Sequence, residues 1–229
     1  MIPDEARQLW CTLAGDETAL QPGTTTVVRG SWGICPPGWT GVVRLGDGLL
    51  IEAGNADDAI VEVLRSLDDP SDPAQVARAF PVADTRGPGE LAYLPKGGDV
   101  AALDGREEVR EVSVASIRGW LDLLPDADVE ESSVADMDRA LVVGRGDQLL
   151  GAAGHLDWPA AIGHIGVLVA PHARGQGVGR ILGAAATRWV LDRGRTPQWR
   201  AASSNEASRE VAKRMGYREM GRQFSFQPA

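Results

Sequence analysis

Cysteine and histidine are scarce in this sequence, with two of the first and three of the second among 229 residues. Cys11 and Cys35 are too few for a disulfide framework, and with only His155, His164 and His172 beside them neither a structural zinc site nor any other metal centre is expected. Long apolar runs are also missing: none approaches the ~20 residues that a membrane span requires. The start, Met1 to Glu5, has neither the basic nor the apolar region of a secretory signal, so a cytoplasmic protein without membrane contact is expected. Basic side chains are outnumbered by acidic ones, 23 to 32, for a formal net charge of −9. Aromatics are not interleaved with them either, and nucleic acid is therefore not an expected partner. What is present suffices for a folded core: 43% hydrophobic and 24% charged residues carry no signature of disorder and fit one long domain or two small ones.

The mean charge conceals a direction. Residues 161–229 hold eleven basic and four acidic side chains, +7, which leaves −16 on residues 1–160. One end of the chain can hold an anion although the whole is acidic.

No internal repeat or low-complexity tract is present. In the first part, the spacing predicts a helix over 3–13, strands over 24–29 and 40–52, the latter broken by a Gly46-Asp47-Gly48 turn, and an amphipathic helix over 56–66. Asp72-Pro73 predicts the cap and first residue of another helix ending near Phe80, and 90–95 one more strand. Loops rich in Pro and Gly put a boundary at about 95–105, giving an α+β domain of unrecognised type over 1–100 and a second domain over 101–229. There a helix over 113–124 leads to strands at 139–143, 148–155 and 162–169. A helix follows over 177–192, then a strand near 198–202, a helix from Asn205 and a strand over 217–226. This is a mixed α/β layered pattern.

The most informative stretch is 167–180, in which Val167, Leu168 and Val169 end an apolar strand. The turn after it contains Arg174, Gly175, Gln176, Gly177, Val178, Gly179 and Arg180 and opens a helix. Glycines at 175, 177 and 179 lack Cβ, so successive N–H groups can turn inward and approach a ligand. With the positive end of the helix they make an anion site suited to a pyrophosphate, bracketed by Arg174 and Arg180. The spacing is neither the dinucleotide fingerprint G-x-G-x-x-G nor a P-loop, because no Lys-Ser/Thr pair follows.

These residues resemble the GNAT N-acetyltransferase superfamily, whose R/Q-x-x-G-x-G/A motif is met by Arg174, Gly177 and Gly179, with Val169 and Pro171 matching the approach to it. A second block, Asn205-Glu206-Ala207-Ser208 followed by Met215-Gly216-Tyr217, lies at the family's distance. The resemblance covers about 110–226 and implies a mixed, mostly antiparallel sheet flanked by helices, with residues 1–100 as an N-terminal α+β extension or cap. It further implies acetyl-coenzyme A, or another acyl-coenzyme A, as co-substrate. Its pyrophosphate would lie on Arg174–Arg180, its pantetheine arm beside Val167–Val169, and Asn205 and Ser208 would contact it. A small-molecule primary amine would attack the thioester directly, its carbonyl held by a strand amide.

The catalytic residues implied are few. Many members place a Tyr seven residues after the Asn, and that position here is Ala212, so the proton for the departing thiolate would come from Ser208 or water, or the thiolate would leave unaided. His164 is the titratable residue within 161–169 and a candidate general base. Alternation sets it on the face of Gly166 and Leu168 unless a bulge shifts the parity. His155, Asp157, Glu130 and Glu131 are further candidates, while Tyr217 is expected in the core. The acidic N-terminal part favours a cationic acceptor. Two alternatives stay open: a coenzyme A-binding sensor or scaffold without catalysis, and transfer from the phosphopantetheine of an acyl carrier protein, for which Arg188, Arg193, Arg195 and Arg200 would form the docking face.

Overall fold

The computed structural model describes residues 2–30, 33–54, 56, 58–95, 97–98 and 109–229. The boundary expected at about 95–105 falls mostly outside these residues. Contacts divide the chain into two compact units that do not meet at one point of the sequence. The first comprises Met1–Tyr93, Ala202–Ser204 and Glu219–Ala229, the second Leu94–Ala201 and Asn205–Arg218.

In the first unit, helix α1 (Asp4–Ala14) opens on Asp4 and Glu5, which suit the helix dipole, and stops at Gly15 with φ 64°. Strands β1 (Thr25–Val28), β2 (Thr40–Leu45) and β3 (Gly48–Glu52) follow. The last two form a hairpin whose turn needs the positive φ of Gly46, 61°. Helix α2 (Asp58–Ser66) precedes α3 (Pro73–Ala79), where the Asp72 carboxylate accepts from the Ala74 N–H and Pro73 takes the first position. Strand β4 (Val82–Tyr93) is longer than the sequence predicts, because Gly87-Pro88 does not interrupt it. Val42, Ile51, Leu64, Val76, Phe224 and Phe226 form the core, fully buried.

The second unit begins with β5 (Arg110–Ser113), which the helical reading of 113–124 does not anticipate. After a 3₁₀ turn come two short helices, α4 (Arg118–Leu121) and α5 (Asp126–Ser132), parted by Pro125. Strands β6 (Arg139–Arg145), β7 (Gln148–Trp158) and β8 (Ile162–Val169) form an antiparallel meander. Helix α6 (Val178–Leu191), strand β9 (Thr196–Ala202) and helix α7 (Glu206–Arg214) follow. The last strand, β10 (Arg218–Pro228), pairs with β2 in the first unit from Gly221 on. The fold is thus mixed α/β with a mostly antiparallel sheet flanked by helices, in which β1 pairs with β3 and β8 with β9 in parallel. No helix among the described residues is long and apolar enough to cross a membrane.

Small residues in β7 and β8 decide how closely the helices approach. Val178, Leu182, Ala186 and Val190, four apart, are the buried stripe of α6, and Cβ atoms added at Gly151 or Gly163 would collide with Leu182 or Val190. On the opposite face, Gly166 admits the end of α5: an added Cβ would overlap the Ser132 carbonyl oxygen. That neighbour is backbone and cannot swing aside. Gly166→Ala should therefore destabilise the protein by on the order of 3 kcal/mol, measured by urea unfolding, because α5 must lift from β8.

Candidate active site

The site is built where β8 loses a partner. Strand β8 runs parallel to β9 only from Ile162↔Thr196 to Ile165↔Trp199, although it continues to Val169. The direction of its backbone groups follows from two bonds. The Thr196 N–H donates to the Ala161 oxygen on the β9 side, and the Ala170 N–H donates to the Leu150 oxygen on the β7 side. Alternation then turns the N–H and C=O groups of Val167 and Val169 away from β7, toward the side that β9 has left. The Val169 carbonyl accepts from Arg174 Nε at 3.4 Å on that side.

A cavity of about 690 Å³ opens along this edge and extends to the N-terminus of α6. Gly177 caps that helix with φ 87° and offers no side-chain acceptor, so the first-turn N–H groups have no side-chain cap. Gly175, φ 75°, and Gly177 both need the left-handed region, and a Cβ at either would meet nothing within 4 Å. At Gly179 a Cβ would make ordinary contact with Val169 at 3.5 Å. Protein packing therefore does not demand glycine there, and its absent Cβ leaves room on the cavity side. These amides, the helix dipole and Arg174 and Arg180 on the cavity wall fit an extended anion whose tail lies along β8.

Every residue that the sequence assigns to the donor lines this cavity except Gln176, whose amide donates to the His172 carbonyl at 2.8 Å. Asn205 caps α7 by accepting from the Ser208 N–H at 3.0 Å, while its Nδ2 donates to Glu131 Oε1 at 3.0 Å. Ser208 Oγ accepts from Trp199 Nε1 at 3.0 Å, which leaves its own O–H to donate. Ala212 is buried and Tyr217 is in the core. The Tyr217 hydroxyl is 2.8 Å from Thr187 Oγ1, and burial pushes its pKa up.

His164 does not reach the cavity. The β7–β8 register runs without a shift from Gly151↔Val169 to Trp158↔Ile162, so no bulge changes the parity. The ring stacks on Trp158 at 4.4 Å and 15°, with Nδ1 at 3.2 Å from Gln198 Oε1. Burial, with a smaller contribution from Arg200, holds its pKa down to about 4. His155 and Asp157 pair with each other at 3.2 Å, the His155 ring lying perpendicular to that of Trp189, and they too lie outside the cavity lining. Glu131 is in it, together with Asp128 and Glu210, which the sequence does not single out. Asp128 pairs with Arg174 at 2.6 Å and Glu210 with Arg214 at 2.8 Å. The i, i+3 spacing of Asp128 and Glu131 would have pointed to a shared helix face had 126–132 been read as a helix of its own.

Residues 107–217 match the model of the acetyltransferase (GNAT) family. Among solved structures, an acetyltransferase of that family from Colwellia psychrerythraea superposes with a TM-score of 0.52 at 14% identity, over 68% of this chain and 60% of its own. A GCN5-related N-acetyltransferase from Kribbella flavida gives 0.52 at 12%, over 70% and 64%. The chain thus spans less than two thirds of either. A search of curated proteins finds no match.

A buried neutral histidine predicts an acid-sensitive fold. With His164 near 6.5 unfolded and about 4 folded, the unfolded chain binds the extra proton between those values. Stability should fall as pH drops from about 6.5 to about 4, by on the order of 3 kcal/mol from this group. Urea titrations of His164→Gln should show a flatter pH dependence across that window.

Proposed function

We propose that residues 107–217, which match the model of the acetyltransferase (GNAT) family, make this protein an acyl-coenzyme A-dependent N-acyltransferase acting on a primary amine, with acetyl as the group transferred. The observation that carries this reading is the open edge of β8 at Val167 and Val169 leading straight into the N-terminus of α6, both in one cavity. The co-substrate supplies a thioester whose carbonyl carbon the amine attacks and whose thiolate departs.

The chain's own groups divide the remaining work. The uncapped N–H groups of the α6 first turn, with Arg174 and Arg180, hold the pyrophosphate. The outward N–H of Val167 is placed to polarise the thioester carbonyl and to hold the oxyanion when the C–N bond forms. Glu131 adjoins Ser132, whose carbonyl stands over Gly166. Of the cavity carboxylates it is the one adjoining that contact, and we assign it the proton of the attacking nitrogen. Ser208, whose oxygen accepts from Trp199, donates a hydrogen bond to the sulfur as the C–S bond breaks, and the thiolate takes its proton from water. Much of the rate comes from holding donor and amine together. Asp128 and Glu131 on the cavity wall favour a cationic acceptor over an anionic one.

Ala212 at the position of the family's usual Tyr favours a second reading, a coenzyme A-binding module without turnover. Thiol release with a panel of amines separates the two, since tight binding with no turnover on any amine selects the second. Arg174→Ala should weaken coenzyme A binding in calorimetry by about tenfold or more, with the unfolding transition unchanged; unaltered affinity would remove the donor assignment. Glu131→Gln keeps an acceptor for Asn205 but loses the base. It should lower kcat roughly a hundredfold while leaving coenzyme A affinity within about twofold.

A further inference from the structure

Helix α5 carries Asp126, Asp128, Glu130 and Glu131 and no basic residue. Its cavity-facing pair, Asp128 and Glu131, does not simply line the wall. Asp128 Oδ2 accepts from Arg174 Nη2 at 2.6 Å, and Glu131 Oε1 accepts from Asn205 Nδ2 at 3.0 Å. Arg174 opens the turn before α6 and Asn205 caps α7, so one short helix is tied to both sides of the channel along β8. The tie on Arg174 uses the guanidinium edge that a phosphate would take, since Nε is directed at the Val169 carbonyl at 3.4 Å. It also sets a carboxylate beside the place where a phosphate would sit.

We propose that α5 is an electrostatic strap: Asp128 competes with the donor's pyrophosphate for Arg174, and binding of the donor transfers Arg174 from Asp128 to phosphate and loosens α5. The inference rests on the reading of the cavity as a coenzyme A site and adds a regulation of it. The pair is partly exposed, with side chains 52% and 30% accessible, so its grip is weak enough for a phosphate to displace. The pyrophosphate as a whole carries two negative charges against the carboxylate's one, and arginine–phosphate pairs are frequently bidentate. Exchange is therefore downhill, but the donor forfeits what the strap held. The release also uncovers the Asp128 carboxylate on the wall that Glu131 shares, which couples arrival of the anionic donor to readiness for a cationic acceptor.

Calorimetry with coenzyme A tests this on the full chain. Asp128→Asn, which keeps the shape and removes the charge, should bind coenzyme A about three- to tenfold more tightly than the unaltered protein. Asp126→Asn, on the same helix but outside the cavity lining, should leave affinity unchanged. Equal or weaker binding by Asp128→Asn, with the unaltered protein binding well, overturns the strap alone and makes Asp128 a positioner of Arg174. Absence of binding by both overturns the donor reading and the strap together. Hydrogen exchange tests the strap without any variant: saturating coenzyme A should speed exchange at 126–132, and slower exchange there would overturn the strap.

Discussion

A parallel pair of strands ordinarily stays paired to its ends, because each unmatched N–H and C=O must find another partner. Here β8 and β9 separate after Ile165↔Trp199, and β8 runs on for four residues with the backbone groups of Val167 and Val169 turned to the open side. The parting is held in place from both faces. Gly166 lets α5 press against one face of β8, and Gly151 and Gly163 let α6 press against the other. The strand is thus buried while its edge beyond Ile165 has no strand partner among the described residues, and the cavity, the glycine turn and the carboxylates of α5 are all arranged along that edge.

The charge distribution acquires its meaning at the same place. The cationic wall comes from Arg174, Arg180, Arg200 and Arg214, all within the stretch of positive net charge. The anionic wall comes from Asp128 and Glu131 in the acidic part of the chain, joined by Glu210. The two signs meet at the Asp128–Arg174 pair. A sequence-wide net charge of −9 describes none of this, because a binding site responds to the local arrangement of charge rather than to its sum.

Much of the fold was legible because its signals are local. The apolar run of β8, the Gly46 turn and the Asp72-Pro73 cap each announce an element through chemistry confined to a few residues. The residues of the glycine turn were legible for the same reason: a turn that needs Gly175 and Gly177 in the left-handed region is written in consecutive positions. What escaped depends on packing. The stretch 113–124 has helical spacing, yet Arg110–Ser113 pairs with β6 instead, and Pro125 starts α5 as a separate piece whose Asp128 and Glu131 face inward only because Gly166 admits the helix. His164 carries the right chemistry for a base, but whether a strand residue faces a site turns on the presence of a bulge, and no residue pattern in β8 reports one. The division of the chain was hidden too, since the C-terminal strand is grouped with the first unit by contacts distant in sequence.

One ligand spanning the open edge of β8 and the N-terminus of α6 is what the whole functional reading requires. Amide nitrogen–proton spectra of the labelled protein, recorded as coenzyme A is added, test it residue by residue. The resonances of Val167, Val169, Gly177 and Gly179 should move together with one saturation curve, and those of β1 to β3 should stay in place. Saturable shifts confined to other segments, or movement at α6 without movement at Val167 and Val169, would contradict it.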